Sequence, residues 1–176
     1  MFNRILISLG LSLMLVLSPL AATQKWVAGA LTGYSTTVCG AELNSLANGD
    51  SVLCGTAVTT NTDLYGTASF TFGSVTTMGG SPYVQLAIYQ LNQDGSTYGD
   101  GTFASAAAGS PAAQYLVNCI IPAPASATAA FKGECGPFPL PPGTFKFVLY
   151  DNLNTTGNAA SSGNAVYLNT WNFQIN

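Results

Sequence analysis

Four cysteines are the most reactive side chains in this sequence, and their company decides what they can do. Cys39 and Cys54 stand 15 residues apart, and Cys119 and Cys135 stand 16 apart. The chain has no histidine and no C-x-x-C, so a tetrahedral zinc site lacks its usual ligands and spacing. An even number of cysteines points instead to disulfides, for which four residues allow three pairings. The near-equal local spacings favour Cys39–Cys54 and Cys119–Cys135, each closing a strand–loop–strand unit. Each bond would stabilise the fold by about 3 kcal/mol by restricting the unfolded chain.

Acid–base and nucleophilic chemistry find little support. Without histidine there is no Ser-His-Asp or Cys-His arrangement, no imidazole base and no imidazole metal ligand. No G-x-S-x-G and no phosphate-cradling glycine loop occurs. A carboxylate pair could still hydrolyse a glycoside. Its candidates are Glu42, Asp50, Asp63, Asp94, Asp100, Glu134 and Asp151, most of them beside Gly or Asn as solvated loop carboxylates are. The expectation is a protein that is not an enzyme, with no catalytic residue, no metal and no cofactor.

The most distinctive local sequence is the loop Asn92-Gln93-Asp94-Gly95-Ser96-Thr97-Tyr98-Gly99-Asp100-Gly101. Asp94, Ser96 and Asp100 at even offsets could offer oxygens to calcium, but the carboxylate that completes a calcium loop is missing. The Asp-Gly pairs supply the positive-φ positions that tight turns require. The loop therefore reads as a turn with Asp94, Ser96, Tyr98 and Asp100 as a contact surface. Ala104–Pro111, rich in small residues, is the second candidate surface.

The elements that must carry these loops are strands. Ala68, Phe70 and Phe72 alternate with Ser69 and Thr71. Val84, Leu86 and Ile88 alternate with Tyr83, Gln85 and Ala87, and Phe145, Phe147 and Leu149 with Lys146, Val148 and Tyr150. Near the end, Tyr167, Trp171, Phe173 and Ile175 share a face opposite Thr170, Asn172 and Gln174, and Trp171 and Phe173 are expected in the core with the inward residues of the other strands. Period two over short runs marks half-buried strands. Adding Tyr34–Cys39, Val52–Thr59, Tyr115–Ile121 and Ala127–Phe131 gives about eight strands punctuated by Gly, Pro and Asn. The prediction is all-β: an antiparallel β-sandwich, jelly-roll-like, with an immunoglobulin-like order fitting nearly as well. Pro137–Gly143 reads as an extended connection that launches the Thr144–Tyr150 strand.

Residues 1–22 have the shape of a secretory signal. A basic start at Arg4 is followed by the apolar Ile5–Leu17 and by small residues at Ala21-Ala22. An uncleaved anchor and a start codon placed too early are the alternatives, and only with an anchor is a membrane a partner. Residues 23–176 are one domain's worth of chain. Charge is scarce, at 6 % of residues, with a net charge of −3. Lys25, Lys132 and Lys146 are the only basic residues after the apolar segment, too few to neutralise a phosphate backbone, so nucleic acid is excluded as a partner. Nine Phe, eight Tyr and two Trp argue for a packed fold over disorder. Asn154-Thr155-Thr156 is a glycosylation sequon.

Three stretches carry a resemblance: Leu91–Gly101 (LNQDGSTYGDG), Leu140–Asn152 (LPPGTFKFVLYDN) and Gly163–Asn172 (GNAVYLNTWN), with Ala41–Gly49 (AELNSLANG) before them. Together they resemble a group of small β-sandwich proteins encoded among the head and tail genes of tailed phages. The similarity covers Glu42 to Asn172, and its motifs hold no catalytic residue. The chain differs from that group in its apolar N-terminus and its cysteines. The resemblance implies a virion structural protein, a surface decoration or head- or tail-associated module. Its partners would be other virion proteins or copies of itself. The signal and the cysteines support a different reading: a secreted, periplasmic or cell-surface binding domain that takes a glycan or a cell surface.

Overall fold

Alternation of small polar and bulky apolar residues produces strands almost throughout. The structure, a computed structural model, describes residues 24–31, 36–60, 62–73, 81–98, 107–108, 118–122, 130–153 and 162–175. The signal-like segment 1–22 lies outside them. The strands are β1 (Gln24–Ala28), β2 (Thr36–Cys39), β3 (Asp50–Leu53), β4 (Val58–Thr60), β5 (Tyr65–Phe72) and β6 (Tyr83–Gln90). They continue with β7 (Ala107–Ala108), β8 (Asn118–Pro122), β9 (Phe131–Pro139), β10 (Gly143–Asn152) and β11 (Ala165–Ile175). A single 3-10 turn, Ala41–Leu43, separates β2 from β3.

Two antiparallel sheets result. One runs β1-β11-β5-β9 with β2 also on β11; the other runs β7-β3-β10-β6-β8 with β4 also on β10. The main chain alternates between them: β2, β5, β9 and β11 lie in the first, and β3, β6, β8 and β10 in the second. Only β6 and β8 are consecutive major strands paired with each other. The orders β2-β11-β5-β9 and β3-β10-β6-β8 are those of a jelly roll, so the architecture is the all-β sandwich expected from the strand pattern.

The inner faces hold the core. Phe70, Phe72, Val84, Leu86, Ile88, Phe145, Phe147 and Leu149 are all buried, as their period-two placement predicts. Phe147 of β10 lies edge-on to Phe145 at 5.6 Å and to Phe138 of β9 at 6.3 Å, which ties the two sheets together.

Four expectations need correction. Pro137–Pro139, read as part of an extended connection, is the end of β9, with Phe138 opposite Gly66 and Pro139 opposite Tyr65. Trp171 and Phe173 are half-buried instead of core. On β11 the inward residues are Val166, Leu168 and Thr170, because the compact aliphatics fit between the sheets and Thr170 finds an internal hydrogen-bond partner. The indole of Trp171 donates to the hydroxyl of Thr67 at 3.3 Å, so its polar edge is met on the opposite face of the sheet. Ala87 and Val148, read as outward, are register partners across β6 and β10 and both are buried. The outer face of this sheet is therefore partly covered, and Tyr89 on it is buried as well. Finally, Val52–Thr59 is two strands. After the Cys54 amide bonds the carbonyl of Phe147 at 2.8 Å, the chain leaves β10 and resumes pairing at Val58.

That excursion reaches a disulfide. Cys39 on β2 is bonded to Cys54 beyond β3, and Cys119 on β8 to Cys135 on β9, with Cα–Cα separations of 4.7 and 6.1 Å. Each bond joins one sheet to the other: β2 to β3 in the first case, β8 to β9 in the second. Cross-links at sheet borders hold edge strands in place, the part of a sandwich most prone to stray pairing. Two disulfides fit an oxidising, extracellular or periplasmic environment.

The compact sandwich spans Val27–Asn172, and the described residues 24–26 and 173–175 fall in a second unit. Within that unit Trp26 meets Phe173 edge-on at 5.0 Å. Among the described residues no helix is long and apolar enough to cross a membrane.

Candidate functional site

The Asp94 turn follows β6 and is anchored on β10. The amide of Leu91 donates to the carbonyl of Thr144 at 2.8 Å, and Gln90 Nε2 donates to the carbonyl of Pro142 at 2.9 Å. Leu91 and Tyr98 bridge the two ends of the turn. Inside it, the Asn92 amide donates to the Thr97 carbonyl at 2.9 Å and the Gly95 amide to the Asn92 carbonyl at 3.0 Å. Gly95 has φ +69°, a conformation that residues with a Cβ adopt at a cost.

Asp94 organises this turn from within. Its Oδ1 accepts from the amides of Ser96 and Thr97, both at 2.9 Å, and its Oδ2 accepts from the Thr97 hydroxyl. Asn92 Nδ2 donates to the same hydroxyl oxygen at 3.1 Å. The Thr97 hydroxyl, with the Ser96 and Thr97 amides, holds the carboxyl down to about 2. Asp94 is thus an ionised internal cap with both oxygens engaged by its own turn. Ser96 is exposed at the tip, and Tyr98 is half-exposed. The Lys146 ammonium of β10 stands 5.2 Å from the centre of the Tyr98 ring, a cation–π contact that seats the ring on the strand beneath.

Asp100, the fourth residue of the expected contact surface, lies outside the described residues, as do Gly99, Gly101 and the sequon Asn154–Thr156. Of Ala104–Pro111 only the β7 backbone is described, with Ala107 opposite Ser51 and Ala108 opposite Asp50.

Three further carboxylates, Glu42, Asp63 and Asp151, are held by backbone or side-chain donors. Glu42 Oε1 accepts from the Gly55 amide at 2.6 Å and fastens the excursion between β3 and β4. Its neighbours Cys39 and Cys54 complete a grouping of metal-type side chains, but their sulfurs are joined to each other. Asp63 Oδ2 is buried and accepts from the Ala30 amide at 2.8 Å and the Thr170 hydroxyl at 2.6 Å. Asp151 is also buried; its Oδ1 accepts from the Leu153 amide at 2.9 Å, while Oδ2 has no hydrogen-bond partner. Burial, opposed by the Leu153 bond and reinforced by the nearby charge of Asp50, pushes its carboxyl up to about 6. Large apolar side chains stand exposed at Leu64 and, on edge strand β8, at Ile120.

The cysteine pairs and the Asp94 turn are the features that the sequence places and the structure describes. The partnership of Tyr98 with Lys146, the Asp63–Thr170 node and the isolation of Asp151 escape a linear reading, because each joins residues from distant strands. Only the Asp94 cap had a local signal: an aspartate followed two and three positions later by Ser and Thr is an Asx-turn pattern. No protein-family model matches the chain, and no curated protein shows significant similarity to it.

Proposed function

We propose that this chain is a non-enzymatic structural module that works by assembly, as a decoration or head- or tail-associated component on the surface of a phage particle. The observation that carries the reading is the Asp94 turn. It is a pre-ordered, polar projection on a disulfide-linked sandwich, which lowers the entropy cost of docking. The scarcity of charge agrees with a surface that is partly covered in an assembly, as does exposed Ile120 on the edge strand β8. The likeness of Leu91–Gly101, Leu140–Asn152 and Gly163–Asn172 to phage head and tail sandwich proteins supplies the kind of particle.

A second reading is favoured by the disulfides themselves. Covalent links between the sheets suit a secreted or cell-surface binding domain that must survive outside the cell. One experiment separates the two. Particles lacking the protein are mixed with wild type and with Tyr98→Ala, sedimented, and analysed by mass spectrometry. Binding of wild type with a loss of about tenfold in the variant supports assembly through the turn. Equal binding moves the contact away from Tyr98. No binding to particles, with retention on a glycan or cell-wall matrix, replaces the first reading by the second.

A further inference from the structure

Asp50 and Asp151 meet across two paired strands. The register of β3 and β10 runs Leu53–Val148, Val52–Leu149 and Ser51–Tyr150 and ends there, so the next residues, Asp50 and Asp151, are neighbours across the seam. The Gly49 amide donates to the Asp151 carbonyl at 2.7 Å and keeps the strands together at this point. By strand alternation Asp50 shares a face with buried Val52, and Asp151 shares one with buried Leu149. Two acidic side chains, half-buried Asp50 and buried Asp151, are therefore brought near each other at the end of this seam, where like charges are destabilising. Asp151 is 1 % exposed and its Oδ2 is without a partner.

Among the described residues, the strands around this corner place no cation beside Asp151. Besides Asp50, the titratable groups that act on this corner are Tyr150 of the same strand and Tyr83 of β6, whose rings lie 6.1 Å apart. Strands β2, β5 and β11 of the other sheet carry no Asp, Glu, Lys or Arg. Lys132 and Glu134 of β9 pair with Thr71 and Ser69 on the outer face of that sheet. Lys146 is on the outer face of β10, beside Tyr98, and Glu42 is bonded to Gly55.

We propose that the Asp50–Asp151 pair is a proton-operated latch on the β3–β10 seam: closed while Asp151 carries a proton, and loosened at the Gly49 contact when it loses it. The proposal is independent of which surface the protein occupies. Its sign follows from the direction of the shift. The unfolded carboxyl releases its proton near 3.8 and the folded one near about 6, so the folded state holds the extra proton between them. The stabilisation is complete below the lower value, and it is lost as pH rises through the upper one. On this basis the folding equilibrium constant falls by up to about a hundredfold between pH 4 and pH 7. Asp94, held down to about 2, titrates below that window and leaves it clear.

The test is hydrogen exchange of the oxidised protein at pH 5 and pH 7.5, corrected for intrinsic rates, with urea midpoints at both values, each with and without millimolar calcium. Wild type is expected to lose about tenfold or more in protection at the Gly49 amide at the higher pH, while Asp151→Asn is equally protected at both. Asp50→Asn, which keeps the buried carboxyl but removes its like-charged neighbour, is expected to move the transition to lower pH; it serves also if Asp151→Asn does not fold. Protection that is independent of pH, or a pH slope retained in Asp151→Asn, overturns the proposal. Full recovery of pH 7.5 protection by calcium also overturns it, because the pair is then a cation site.

Discussion

Asp63 and Asp151 are both carboxylates inside the same sandwich, at 7 % and 1 % exposure, yet their surroundings are opposite. Asp63 is met by donors. The Ala30 amide and the Thr170 hydroxyl converge on its Oδ2, and Thr170 Oγ1 in turn accepts from the Leu31 amide at 3.0 Å. The backbone follows the same path, with the Thr170 amide bonded to the Leu31 carbonyl and the Gly29 amide to the Thr170 carbonyl, both at 2.7 Å. Gly29 is required for this closeness, since a Cβ there would come within 2.7 Å of the Asp63 carboxyl. Asp151 has one amide, an unmet oxygen and a like charge nearby. The difference shows that depth alone does not decide the cost of a buried carboxylate; the number of donors aimed at it does.

An apolar site sets the scale for testing this. Phe147 is fully buried between the sheets, and Phe147→Ala is expected to destabilise by about 3–5 kcal/mol in urea titration. Asp63→Ala should come close to it, at about 2–4 kcal/mol, because the Ala30 amide and the Thr170 hydroxyl are both left without their acceptor. Asp151→Asn should act in the opposite direction. At pH 7 it removes an ionised group from the core, and the unfolding free energy should rise by about 1–3 kcal/mol, less than the full shift because the new amide also lacks a partner. If Asp63→Ala is neutral while Asp151→Asn destabilises, the contrast between the two sites is wrong.

How much of this was legible beforehand depended on whether one strand sufficed to show it. In β5, β6 and β10 the inward residues are larger and more apolar than their neighbours, so the core face could be read directly. In β11 both faces mix aromatic and polar residues, and choosing the larger Tyr167 and Trp171 selected the wrong one. Val166 and Leu168 are inside because the gap between the sheets takes compact aliphatics there. The break between β3 and β4 was hidden because nothing local marks Cys54 as the residue that turns toward the other sheet. Asp151 sits in a Tyr-Asp-Asn run that reads as a strand end, and only the register with β3 reveals the second aspartate. The disulfide pairs were accessible from spacing, since each links strands close in sequence. The turn at Asp94 was accessible as a turn, but its internal cap and the seat of Tyr98 on Lys146 were not assigned.

The smallest expected effect is at Asp94, which sharpens the contrast by adding a third environment: a carboxylate with several donors and no burial. Here the Ser96 and Thr97 amides and the Thr97 hydroxyl all favour the charged form. The folded carboxyl is depressed to about 2 from 3.8, so its contribution is fully present above 3.8 and disappears as pH falls through about 2. The direction is the reverse of that at Asp151. Solvent surrounds the turn, so the consequence should be local. Asp94→Ala is expected to lose amide protection at Ser96 and Thr97 while the urea midpoint scarcely moves, because the bonds from Leu91 and Gln90 to β10 do not depend on Asp94. Asp94→Asn should retain part of the protection, since its amide oxygen can still accept. A fall in the global midpoint comparable to that of Asp63→Ala would show instead that the turn is coupled to the core, and that exposure does not isolate a carboxylate here.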